Sequence, residues 1–142
     1  MANGVAGLKK KLQELGFSSY QSFLHGDYWQ GVRRQFQDSK YCSKDSEGRI
    51  CCIACGKTEP PFHIHHKTYL HLGSEHMHLE DLALVCPDCH DEIHNRFESN
   101  LWYATEAVIS DKKYVQGLLD AIAKYHNDVP TLRKAIKQLD KE

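Results

Sequence analysis

The stretch "HIHHK", residues 63–67, places three histidines within four positions, eight residues after Cys55. Eight of the ten histidines fall between His63 and His94, and two C-x-x-C pairs, Cys52/Cys55 and Cys86/Cys89, bracket that segment. Thiolate and imidazole at this density are metal-ligand chemistry. The two pairs, separated by thirty residues, have the form of a four-thiolate structural zinc site. In such a site each pair makes a tight knuckle, and the zinc replaces core that so short a segment cannot build.

Four cysteines close one tetrahedral site, so the histidines need a different role. His90 and His94 stand four apart at the start of an expected helix, with both rings on one face and able to reach one cation. His65 and His66 are adjacent in an extended stretch, so their side chains diverge and only one of them can share that ion. One ligand and one free imidazole side by side make a metal site with a separate base. Three imidazoles suit zinc, nickel or manganese better than magnesium.

"CC" at Cys51–Cys52 permits either thiol as ligand; the two-residue gap to Cys55 favours Cys52. Cys51 otherwise joins Cys42 as an idle or buried thiol. His63, His71, His76 and His78 read as loop or surface residues, with His76 or His78 in range of a phosphate only as a secondary idea.

These residues must be positioned by the elements around them. "GLKKKLQELG" spaces Leu8, Leu12 and Leu15 as a helix stopped by Gly16, and residues 18–39 read as two short helices broken near His25-Gly26. Tyr28, Trp29, Val32 and Phe36 form an apolar stripe on the second, and residues 38–50 form a polar loop. "FHIH" reads as a short strand with Phe62 and Ile64 on one side and His63 and His65 on the other. "LALVC" is a second strand, and "CPDCHDEIHNRF" opens a helix with Pro87 early in its first turn. Tyr114, Val115, Leu118, Leu119, Ile122 and Tyr125 stripe a further helix, and Asp128 with Pro130 starts a last one. The stripes of the terminal helices are expected to pack on the central core; the same helices could bind DNA, dimerise or dock on a partner protein.

A chain of 142 residues, 41% hydrophobic and 26% charged, fits one soluble domain or a small core with helical extensions. No apolar run reaches membrane-span length and the N-terminus lacks an apolar signal region, so no membrane partner and an intracellular setting with reduced cysteines are expected. Net charge is −1, but residues 1–67 carry ten Lys/Arg against six Asp/Glu, while the rest carries eight against thirteen. A polyanion would be drawn to the first half, near Lys9–Lys11, Arg33, Arg34, Lys40 and Lys44.

"HHKTYLHLGSEHMHLEDLALVCPDCHDEIH" closely resembles the HNH endonuclease family, in the version with an embedded zinc ribbon, over about residues 50–97. "YQSFLHGDYWQGVRR" is more loosely similar to the segment preceding some phage and bacterial HNH domains, which implies a bacterial or phage cytoplasm. The resemblance implies an α+β chain with a small ββα-metal nuclease core at 50–97, an N-terminal helical extension at 1–49 and C-terminal helices at 98–142. It implies DNA as substrate, His66 as the general base that activates water, and His65, His90 and His94 on one catalytic divalent cation (Mg²⁺, Mn²⁺, Ni²⁺ or Zn²⁺) beside the structural Zn²⁺. Asp81 matches the middle motif residue, usually Asn, and is expected to accept a hydrogen bond from His66 or its backbone. Arg33, Arg34, Lys40 and Lys67 are the candidate DNA contacts. An imidazole titrating near 6.5 suits proton abstraction from water, while a cation neutralises the leaving oxygen.

Two other classes compete. A zinc deaminase is suggested by "HLE" before "CPDC". It fails because only five residues separate Glu80 from Cys86, no proline precedes Cys86, and Cys52/Cys55 would have no role. The stronger rival is a non-catalytic zinc-ribbon module, a degenerate HNH, that binds DNA or a protein. Four histidines at matching spacings argue against it.

Overall fold

The computed structural model describes residues 5–96 and 100–141. Phe97, the last residue of the expected central core, lies outside them. Helices α1 (Val5–Glu14), α2 (Tyr20–Leu24) and α3 (Asp27–Gln37) lead through a long loop to strand β1 (His63–His66). Two single-turn 3₁₀ segments, Glu75–Met77 and Leu79–Asp81, precede strand β2 (Leu82–Val85), which is followed by helices α4 (Pro87–Arg96), α5 (Leu101–Tyr125) and α6 (Val129–Asp140). The chain is therefore α+β: helices around one small antiparallel sheet. Among the described residues no helix is long and apolar enough to cross a membrane.

The sheet explains the layering. His63 pairs with Val85, Ile64 with Leu84, His65 with Ala83 and His66 with Leu82. Side chains alternate across a strand, so Ile64, His66, Leu82 and Leu84 face one way, and His63, His65, Ala83 and Val85 the other. Every residue of "LALV" is buried, as a strand covered on both faces must be. On the first face Leu82 and Leu84 pack with Leu12, Phe23, Trp29, Val32, Phe36 and Leu72. On the second, Val85 packs with the thiol cluster, Ile93 and the α5 residues Leu101, Ala104, Val108 and Ile109. Phe62 and Tyr69 touch both clusters.

The N-terminal helices form where the sequence signals place them. Gly16 ends α1's turn at φ +85°, in the left-handed region that favours glycine. Ser19 starts α2 by accepting from the Ser22 N–H at 3.1 Å while Ser22 Oγ donates to the Ser19 carbonyl at 2.7 Å. Gly26 separates α2 from α3, whose Trp29, Val32 and Phe36 are the buried stripe.

The C-terminal helices depart from expectation. Only the first half of α5 joins the core; Val115, Leu119 and Ile122 on the stripe are about half exposed, at 51%, 56% and 46%. The helix is 25 residues long, longer than the core it leans on, so its distal half runs past the sheet. There it pairs with α6, which is capped by Asp128 as anticipated and buries no side chain fully. At the crossing, a Cβ on Gly117 would come within 2.7 Å of Leu139 Cδ2, so glycine is what admits the close approach.

Candidate metal centre and its cavity

The two C-x-x-C knuckles converge. The sulfurs of Cys52, Cys55, Cys86 and Cys89 lie within 4.8 Å of one another. The first knuckle is a turn in which Gly56 N–H donates to the Cys52 carbonyl at 2.9 Å, with Gly56 at φ +79°. The second is the first turn of α4, where Cys89 N–H points at Cys86 Sγ, 3.5 Å away. Cys51 is buried outside this cluster, so Cys52 is the thiol that joins it. Burial and the neighbouring thiols push Cys89 up; a dication among them would invert that balance and draw off the protons. The cluster is compatible with a structural zinc.

A second cluster faces it across the base of α4. His65 on β1 meets His90 and His94, one turn apart on α4, with one nitrogen of each ring within 4.8 Å of the others. The Nε2 atoms of His90 and His94 are 3.1 Å apart. His65 is almost fully buried, and its Nε2 lies 2.9 Å from Thr105 Oγ1 on α5. Thr105 gives its own proton to the Leu101 carbonyl at 2.8 Å, so it can only accept from His65. That fixes the proton on Nε2 and leaves Nδ1 with a free lone pair. Burial, reinforced by the other two imidazoles, pushes His65 down to about 2; burial and His94 push His90 down to about 4, and burial lowers His94 as well. Three imidazoles held neutral are a donor set that fits a borderline divalent cation.

His66 leaves β1 on the opposite face. Its ring stacks on Trp29 with centroids 4.8 Å apart, with Tyr69 and Tyr20 on its other sides. Both ring nitrogens are engaged: Nδ1 with the Tyr20 hydroxyl at 2.7 Å and Nε2 with Glu75 Oε2 at 2.7 Å. The side chains of His66 and Glu75 are each 1% exposed. Burial raises the Glu75 carboxyl, but its hydrogen bonds to His66 and to backbone N–H groups outweigh it and hold the acid below its ordinary range. Burial pushes the Tyr20 hydroxyl far up, so it keeps its proton.

Both histidine environments open on one cavity of about 480 Å³ along the free edge of β1. His65, His90 and His94 line it, together with Tyr20, Trp29 and Arg33. Of the candidate DNA contacts, Arg33 is in the cavity wall; Arg34 and Lys40 are exposed elsewhere on the N-terminal half. Lys67 lies over the Trp102 ring, 4.1 Å from its centre, and 3.6 Å from Glu106.

Asp81 is not at His66. Its carboxylate engages His71 Nδ1 at 2.6 Å, and its carbonyl accepts from the Lys67 N–H at 2.8 Å. Register supplies the reason. With His66 opposite Leu82, Asp81 falls opposite Lys67, on the face that His66 turns away from. His71 stacks on His78 at 3.5 Å, His76 meets the Tyr28 hydroxyl at 3.1 Å, and His63 stacks on His90 at 5.0 Å.

The residues that sequence reasoning missed are Glu75, Tyr20 and Thr105. Each acts through contacts nine to forty-six positions along the chain, and nothing local ranks Glu75 above Glu80.

Compared with known proteins, residues 52–96 match the family model described as HNH endonuclease. No curated protein and no solved structure matches the chain.

Proposed function

We propose that the chain is a metal-dependent endonuclease of the HNH type, hydrolysing DNA phosphodiester bonds in the cavity along β1. One observation carries the reading: three imidazoles, neutral and converging within 4.8 Å, share a cavity with a fourth imidazole bound to a carboxylate. His65 through Nδ1, with His90 and His94 through Nε2, would hold the catalytic cation. When bound, it supplies positive charge against the oxygen that leaves the cut phosphodiester.

The chain's own residues do the rest. His66 is the base, and it reaches the cavity through Tyr20: a water gives a proton to the Tyr20 oxygen as Tyr20 passes its own to His66 Nδ1. Arg33 in the cavity lining draws a phosphate toward the imidazoles. The four-cysteine zinc anchors the first turn of α4 and so the spacing of His90 and His94.

The rival reading, a zinc-ribbon binding module without catalysis, draws on the burial of His66 and the occupation of both its nitrogens. Incubation of supercoiled plasmid with purified protein and Mn²⁺, Ni²⁺, Zn²⁺ or Mg²⁺ separates the two. Metal-dependent nicking that His90→Ala abolishes supports the nuclease. Plasmid binding without nicking under every cation leaves the binding module.

A further inference from the structure

Glu75 lies six positions from the residue that matches the HNH family's middle motif, and its side chain is as buried as that of His66. Its two oxygens are committed differently. Oε1 accepts from the Gly73 backbone N–H at 2.7 Å and from the Tyr28 hydroxyl at 3.0 Å, while Oε2 is 2.7 Å from His66 Nε2. Gly73, at φ +92°, sits where the loop folds back to aim its N–H at the acid, and its position would bring any Cβ to 3.0 Å from Leu15. A backbone N–H can only donate. The loop therefore fixes which oxygen faces the backbone and which faces the imidazole.

We propose that Glu75 is the positioning residue of His66: it holds the Nε2–H tautomer and so presents the basic lone pair at Nδ1 to the Tyr20 hydroxyl on the cavity wall. A carboxylate offers only acceptors, so the ring nitrogen facing it must carry hydrogen. The other nitrogen then has a lone pair, and Tyr20 is the donor placed on it. The stack on Trp29 stops the ring from turning over. His66 is thus oriented by a carboxylate from the loop, while Asp81 is spent on His71. The consequence for the reaction rests on the nuclease reading; the tautomer does not.

Glu75→Gln is the informative variant because it is isosteric. Its amide has one acceptor and one donor end, and the Gly73 N–H requires the acceptor at Oε1. The NH₂ group must then face His66 Nε2, which has to become an acceptor, and the proton moves to Nδ1. The measurement is the ¹⁵N spectrum of the His66 ring in the zinc-loaded full chain near pH 8, where a free imidazole is neutral, together with plasmid nicking.

The expected result is the Nε2–H tautomer in the parent and the Nδ1–H tautomer in Glu75→Gln, with kcat lower by about 10²- to 10⁴-fold, the scale of losing a correctly oriented base. KM for plasmid and the content of both metals should be unchanged. An Nδ1–H tautomer in the parent overturns the proposal and needs no variant to fold. So does a Glu75→Gln protein that keeps the parental tautomer, whatever its rate. If the parent itself does not nick DNA, it is the nuclease reading that fails, and the two spectra still decide what Glu75 does to His66.

Discussion

Thr105 stands behind His65, its oxygen 2.9 Å from Nε2 and its proton given to the Leu101 carbonyl one turn earlier in α5. A hydroxyl whose proton is already placed can only accept, so this one contact decides which nitrogen of His65 is free for a cation. Replacing Thr105 with Val keeps the shape and removes the acceptor. Affinity for Ni²⁺ or Zn²⁺ at the imidazole cluster should fall by about 10- to 100-fold, as for other outer partners of a metal-bound His, with Thr105→Ser close to the parent. Calorimetric titration of zinc-loaded protein checks it; equal affinity in Thr105→Val would remove Thr105 from the design.

His66→Ala and His90→Ala should separate base from ligand. The first is expected to retain both metals while nicking about 10²- to 10⁴-fold more slowly. It should also melt at a lower temperature, because it opens a cavity against Trp29 and leaves the buried Glu75 carboxylate without its partner. The second should lose the catalytic ion, with partial recovery in excess Mn²⁺ or Zn²⁺. Loss of that ion from His66→Ala would instead make His66 a ligand.

Tyr20 and His66 act as one unit in the proposed proton path, and effects within a unit do not add. Tyr20→Phe should therefore slow nicking in the parent but change nothing further in His66→Ala. Rates for the two single variants and the double variant settle the point, and multiplicative losses would place Tyr20 outside the path.

Acid should weaken the native state through the buried imidazoles. In the unfolded chain they titrate near 6.5; in the fold, burial and neighbouring rings hold His90 down at about 4 and His65 at about 2. The unfolded state then binds more protons, so stability is complete above 6.5 and is lost as pH falls through 4 toward 2. The drop in melting temperature of protein free of the catalytic metal, between about pH 7 and pH 5, should be smaller in His90→Ala than in the parent. Equal drops would show that the ring is not held neutral.

Cys89→Ala should unfold or strongly destabilise the segment around α4, because ligand loss removes folding free energy directly. Thermal melting and zinc content measure it, and a folded variant of unchanged stability would count against a structural zinc.

Much of this arrangement is legible in the chain, because it rests on local geometry. The C-x-x-C spacing specifies knuckles, the four-residue step from His90 to His94 specifies a shared helix face, and adjacency in a strand sends His65 and His66 apart. What is not legible depends on where the loop between the strands goes. Asp81 and Glu75 are both acids in that loop, and only the register opposite Lys67 and the backward turn at Gly73 decide which one meets His66. The exposure of the α5 stripe was equally hidden: periodicity marks an apolar face but not how far the core extends beneath it.

Phe62 and Tyr69 touch the clusters on both sides of the sheet, and this has a bearing on how the protein could be cut down or borrowed. The segment 52–96 holds all seven candidate ligand side chains but neither Trp29 nor Tyr20, which contact His66, nor Thr105, which contacts His65. Transplanted alone, it would take its ligands and Glu75 but leave behind the ring and hydroxyl that enclose His66 and the acceptor that fixes the His65 tautomer. The stretch that matches the family model and the stretch that builds the site have different borders, and the second is wider on both flanks.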